Sequence, residues 1–191
     1  MTKSKLTAAL FVAVLGLAPF ALYSDSGPNH QIRNMHFGVS GGNVNDISRA
    51  FCCSGTLGSL VTDGTVQYVL SNNHVLARQD QAVAGENISQ PGLIDTGCRP
   101  TTIVANFTTA PRLGSNVDAA IAQLIPGTMD STGFIEDIGV PGSSISAPAV
   151  GMAVEKSGRT TGFTTGTIGS INTSVKVQYQ AGCGMGKKFT R

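Results

Sequence analysis

The sequence predicts an all-β protein. Only 13% of its 191 residues are charged, and 24 are glycine. After the N-terminal apolar run, no stretch carries apolar side chains at helical spacing. Short apolar runs alternate instead with turns containing Gly, Pro, Asn and Asp, as in strands joined by tight connections. A chain of this length forms one or two domains and can bury a real core. The formal net charge of +2, the lack of tryptophan and the lack of a basic run argue against a nucleic-acid partner.

The elements follow in order. Lys3 and Lys5 precede an apolar run over residues 6–18, and small and polar residues follow from Ser24. A short positive segment before 7–15 apolar residues is the pattern of a secretory signal. Residues 1–24 are therefore expected to be a signal, with a membrane anchor or a buried strand or helix as the alternatives. Export implies a secreted or periplasmic protein, with membrane contact only if the segment stays uncleaved. Residues 25–49, rich in Gly, Asn and Ser, are expected to be a flexible leader, and Gly38 to Gly42 belongs to it.

From residue 50 the texture changes. Strands are expected over 56–61 and 66–71, joined at Asp63-Gly64, a strong hairpin signal. A turn is expected at Gln90-Pro91-Gly92. Further strands are expected over 103–107 and 119–124, the last nearly all apolar and suited to a barrel wall. Residues 50–127 form one unit. Residues 128–149, with Pro141-Gly142 at their centre, form a connection. Residues 150–191 start a second unit, with strands expected over 150–155, 166–172 and 175–179.

Four cysteines are present: Cys52, Cys53, Cys98 and Cys183. In an oxidising compartment they allow three connectivities. Adjacent Cys52 and Cys53 point to opposite faces if they lie in a strand, so at most one would face the core. Small buried thiols and a disulfide are both open for that pair. No Cys-x-x-Cys spacing is present and the three histidines lie in unrelated contexts, so neither a metal nor a cofactor is expected.

Three segments carry candidate chemistry. In Leu70-Ser71-Asn72-Asn73-His74-Val75-Leu76 an apolar strand ends, a polar step follows, and a histidine opens a short helical or turn segment. A catalytic base needs such a place, held by a rigid element yet open to substrate. In Asn116-Val117-Asp118-Ala119-Ala120 an aspartate precedes a buried strand. Such an aspartate can stand behind the histidine, away from water. The third segment, residues 157–168, is a hairpin punctuated by Gly158, Gly162 and Gly166. Each segment has a plain structural reading alone: a histidine ending a strand, an aspartate in a turn, a β-branched hairpin in which Arg159 could meet a carboxylate but reads first as a residue of a solvated turn. Their order and spacing carry more. His74 and Asp118 are 44 residues apart, against about 45 for base and acid, in the same order, in the chymotrypsin template.

Asn73-His74-Val75 and Asn116-Val117-Asp118-Ala119-Ala120 resemble the histidine and aspartate motifs of chymotrypsin-like (trypsin-fold) serine peptidases. Ser157-Gly158-Arg159-Thr160-Thr161-Gly162, followed by Gly166-Thr167-Ile168, resembles the strand pair opening the second barrel of the bacterial subgroup that includes alpha-lytic protease and the streptogrisins. Cys53-Ser54-Gly55-Thr56-Leu57-Gly58 is similar to the strand before the histidine. The resemblance implies a trypsin-like double β-barrel, with the first barrel over 50–127. It implies a polypeptide substrate, with His74 as general base and acid and Asp118 fixing its tautomer.

The family also needs a serine within Gly-Asp-Ser-Gly, as nucleophile and as part of the oxyanion hole. No serine here follows Gly-Asp. Ser40, Ser54 and Ser157 precede glycine in other contexts. The template places its serine about 93 residues after its aspartate, which falls past Arg191. The expectation is a chain truncated before the nucleophile, with an incomplete second barrel, and inactive as it stands. Cys183 would then have lost its partner with the missing strands. Two other readings compete. One is a non-catalytic binding module on a protease-like barrel. The other makes Ser157 an unusual nucleophile, which hydrogen-bond reach to a base and an oxyanion hole would have to support.

Overall fold

The computed structural model describes residues 35–48, 51–178 and 188–190. The expected signal over 1–24 and the fate of Cys183 lie outside the described residues. No helix among them is long and apolar enough to cross a membrane.

The strands are β1 (Val39–Asn43), β2 (Gly55–Leu57), β3 (Ser59–Thr62), β4 (Gln67–Ser71), β5 (Asn87–Gln90), β6 (Thr102–Thr109), β7 (Ala120–Leu124), β8 (Ala153–Gly158), β9 (Gly162–Thr167), β10 (Lys176–Gln178) and β11 (Lys188–Thr190). One helical turn, α1 (Asn73–Leu76), follows β4. The first seven strands form one antiparallel sheet in the order β2-β1-β5-β6-β7-β4-β3. Its two outer strands are consecutive in sequence and separated only by Gly58, so the sheet curls back on itself into a nearly closed barrel. The single strand expected over 56–61 is therefore two. The Gly58 N–H donates to Leu70 O at 3.0 Å. A Cβ at Gly58 would lie 2.7 Å from that oxygen, so this crossing excludes a side chain. Register shifts at Ile88/Ser89 and Phe107/Thr109 help to bend β5 and β6.

The core fills the barrel, with Phe37, Leu57, Leu76, Ile88 and Val104 all fully buried. The β3–β4 hairpin forms at Asp63-Gly64 as expected. Asp63 Oδ1 accepts the N–H groups of Thr65 and Val66, and Gly64 takes a φ of +94°. Backbone bonds from Val66 and Thr65 hold the Asp63 carboxyl below the usual carboxylate range.

The leader expected over 25–49 is corrected by β1, which is buried along its whole length and pairs with both β2 and β5. Its composition misled because its polar residues are internal. Ser40 Oγ donates to Asp95, and Asn43 Nδ2 donates to Leu76 O at 2.9 Å. Its glycines mark close approach, not freedom: a Cβ on Gly41 would lie 2.4 Å from Leu57 Cγ. For the cysteine pair the disulfide reading holds at Cys52, while the expectation that at most one of the two would face the core does not. Cys52 and Cys53 are both buried, and Cys52 forms a disulfide with Cys98. They lie in irregular backbone outside any strand of the sheet, so strand alternation does not apply to them. No described cysteine is free.

Beyond the barrel the character changes. No described residue from 134 to 178 is buried. β8 and β9 pair as a hairpin from Ala153↔Thr167 to Gly158↔Gly162, and β10 pairs with β11. The strand expected over 166–172 stops at Thr167. This hairpin has little core of its own and is held to the barrel by polar contacts. Arg159 Nε donates to Asp95 Oδ2 at 2.7 Å, and its Nη2 donates to Asp95 Oδ1. The Arg159 N–H donates to Thr56 Oγ1 at 3.0 Å. The side chains of Arg159 and Asp95 are 11% and 4% exposed, which corrects the solvated-turn reading of Arg159 in favour of its alternative, a carboxylate contact.

Candidate catalytic site

The register of two neighbouring strands assembles the site. β4 and β7 run antiparallel with Ser71 opposite Ala120. Carrying that register two residues further sets Asn73 opposite Asp118, although 45 residues of chain separate them. The Asn73 N–H donates to Asp118 Oδ1 at 2.8 Å, and Asn72 Nδ2 donates to Asp118 O at 3.0 Å. His74 Nδ1 then meets Asp118 Oδ2 at 3.0 Å. The two residues singled out in the sequence are thus in contact.

α1 is short and is held by its surroundings. The Asn72 carbonyl accepts from the N–H groups of Val75 and Leu76. Val75 and Leu76 are buried. Val75 Cγ2 would stand 2.4 Å from a Cβ on Gly55, so the glycine that opens β2 makes room for the turn that carries the histidine.

Past α1 the chain takes an unusual bend. Arg78, Gln79 and Asp80 have φ values of 50°, 56° and 70°, three successive left-handed residues that are not glycine. Each such residue costs about 1–2 kcal/mol in isolation, so the bend needs support. Arg78 Nε and Nη2 grip Glu86 at 2.9 and 2.6 Å, and Asn43 Nδ2 adds a bond to the same carboxylate at 2.8 Å. Burial raises the Glu86 carboxyl, but the bonds from Arg78 and Asn43 outweigh it and hold it below its ordinary value. Asp80 Oδ1 accepts from Asn73 Nδ2 at 2.8 Å and from the Leu113 N–H at 3.0 Å. Close by, burial pushes the Asp46 carboxyl up, against the pull of Arg78 and His74.

The side chains of His74 and Asp118 are 40% and 24% exposed, so the ring is open to a reactant while the carboxylate is more sheltered. An ionised carboxylate only accepts hydrogen bonds. In the neutral ring, this contact with an ionised carboxylate favours the tautomer with the proton on Nδ1 and the lone pair on Nε2, the form a general base requires. The candidate serines are engaged elsewhere. Ser40 Oγ donates to Asp95, Ser54 Oγ to Cys53 O, and Ser157 Oγ to Gly38 O at 3.4 Å. A groove of about 490 Å³ lined by Gln67, Gln123, Met129 and Ser131 opens at the other end of β4 and β7, away from His74. It has no part in this chemistry. No group of three or more His, Cys, Asp or Glu side chains among the described residues could hold a metal ion.

Sequence reasoning missed Asn73, Asp80, Arg78 and Glu86 as supports of the site. The one available signal was the Asn72-Asn73 doublet between an apolar strand and the histidine.

This arrangement, a nearly closed antiparallel barrel with a histidine–aspartate pair at one strand end, is the trypsin-like β-barrel fold. Among solved structures the chain is similar to a glutamic-acid-specific serine protease described as using a histidine triad in substrate binding. The two share a TM-score of 0.52 and 20% identity over 81% of each chain. No family model matches the sequence, and no curated protein does.

Proposed function

We propose that this chain is of serine-endopeptidase lineage, similar to the bacterial alpha-lytic protease and streptogrisin subgroup, that it is exported from the cytoplasm, and that polypeptides are the substrates of its lineage, with no turnover by the 191 residues as given. The observation that carries the reading is the 3.0 Å contact between His74 Nδ1 and Asp118 Oδ2 on a trypsin-like barrel. In this role His74 Nε2 would take a proton from an attacking serine hydroxyl, which the 191 residues do not supply, and return it to the leaving amine. Asp118, fixed by the Asn73 N–H, stabilises the imidazolium formed between those steps.

The sequence has no Gly-Asp-Ser-Gly segment, so the reading includes no covalent acyl transfer by the 191 residues as given. The second reading is a binding module on a protease-like barrel, with His74 and Asp118 as relics. A fluorophosphonate probe is expected to leave this chain unlabelled, and covalent labelling would overturn the inactivity. The DNA downstream of codon 191 separates the two readings. A Gly-Asp-Ser-Gly sequence in any reading frame, with peptide hydrolysis by the extended product, supports the protease lineage. Its absence favours the binding module.

A further inference from the structure

We propose that the Asn73 side chain is a positioning residue for the His74–Asp118 pair, an inference that rests on that pair being a base and its orienting acid. Asn73 is fully buried. Its Nδ2 donates to Asp80 Oδ1 at 2.8 Å and to Pro111 O at 2.9 Å, while its Oδ1 accepts the Asp80 N–H at 3.1 Å. One amide thus uses both donors and its acceptor on two other segments. These are the left-handed bend after α1 and the stretch at Pro111–Leu113 that leads toward Asp118. The backbone N–H of the same residue holds Asp118 Oδ1. The side chain fixes where Asn73 sits, and the backbone passes that position to the carboxylate. A site of this kind tolerates displacements of only about 0.5 Å. Asn73 itself touches neither the His74 ring nor any reacting atom in this scheme; it acts through Asp118.

The test is nuclear magnetic resonance of the full chain labelled with 15N-histidine. The wild type should show a low-field His74 Nδ1–H resonance that Asp118→Ala abolishes. In Asn73→Ala that resonance should move upfield, and its exchange with water should speed up about tenfold or more, as local opening does. Asp80→Gly provides a second variant if Asn73→Ala does not fold. Glycine accepts the φ of +70° at that position, and the variant keeps the backbone N–H that Asn73 Oδ1 accepts while removing the carboxylate that Asn73 and Leu113 share, so the same direction of change is expected. Arg159→Met, remote from the pair, is the control for general destabilisation and should leave the resonance in place. An unchanged resonance and exchange rate in either folded variant would overturn the positioning role while leaving the base–acid reading intact. Lack of the resonance in the wild type would overturn both.

Discussion

Replacing Arg159 by methionine removes the clasp between the β8–β9 hairpin and the barrel. The variant keeps much of the side-chain bulk and deletes the charge. Asp95, 4% exposed, would keep the Ser40 hydroxyl as a donor and lose both guanidinium bonds. Removing one member of a buried ion pair costs about 3–5 kcal/mol, because the remaining charge stays buried without compensation. A surface pair would cost at most about 1 kcal/mol, so the magnitude separates the two descriptions. With a urea slope of about 2 kcal/mol/M, the larger figure moves the midpoint by about 2 M. Urea unfolding followed by circular dichroism measures the shift. Limited proteolysis near residue 145 would show whether the hairpin detaches before the barrel melts. The buried pair should also resist 0.5 M salt, which screens exposed pairs to within about 4 Å. A loss below about 1 kcal/mol, or one erased by salt, would refute the argument that this contact holds a segment with no buried residue of its own.

Two further outcomes follow from the barrel. Glu86→Gln should cost about 1.5–3 kcal/mol at pH 7, the range for hydrogen bonds to a charged group. Glu86 is held below its ordinary value of 4.5 when folded. Its contribution is therefore complete above that value and disappears as pH falls through the folded one. Wild-type and variant stabilities should converge in acid, and a gap that stays constant from pH 7 to pH 3 would contradict this. Gly41→Ala should destabilise by about 1–3 kcal/mol through overpacking against Leu57. Thermal melting checks it against Gly166→Ala, where a Cβ meets nothing within 4 Å.

Legibility in the sequence tracked the range of the interaction involved. The β3–β4 hairpin and β7 were readable because Asp63-Gly64 and the apolar run at 120–124 are local signals. His74 and Asp118 were readable as a pair only through their order and spacing, which match a known template. β1 was not, since Ser40, Gly41 and Asn43 look like a linker until Leu57, Asp95 and Leu76 are packed against them. Arg159 looked solvated for the same reason: its partner Asp95 lies 64 residues away, and nothing near Arg159 signals it. The bend at Arg78–Asp80 was equally hidden, because its support comes from Asn73, Glu86 and Leu113, not from glycine.

The ladder between β4 and β7 sets the register in which the imidazole and the carboxylate meet, and of the intervening chain only the Arg78–Asp80 bend and the Pro111 stretch bear on the pair, through Asn73. The β5–β6 loop, and those parts of the β4–β5 and β6–β7 connections that lie outside the Arg78–Asp80 bend and the Pro111–Leu113 stretch, are thus free to lengthen or shrink by insertion without displacing the pair. The spacing that first drew attention to His74 and Asp118 is a trait of those loops, whereas the meeting of the two side chains belongs to hydrogen bonding between adjacent strands.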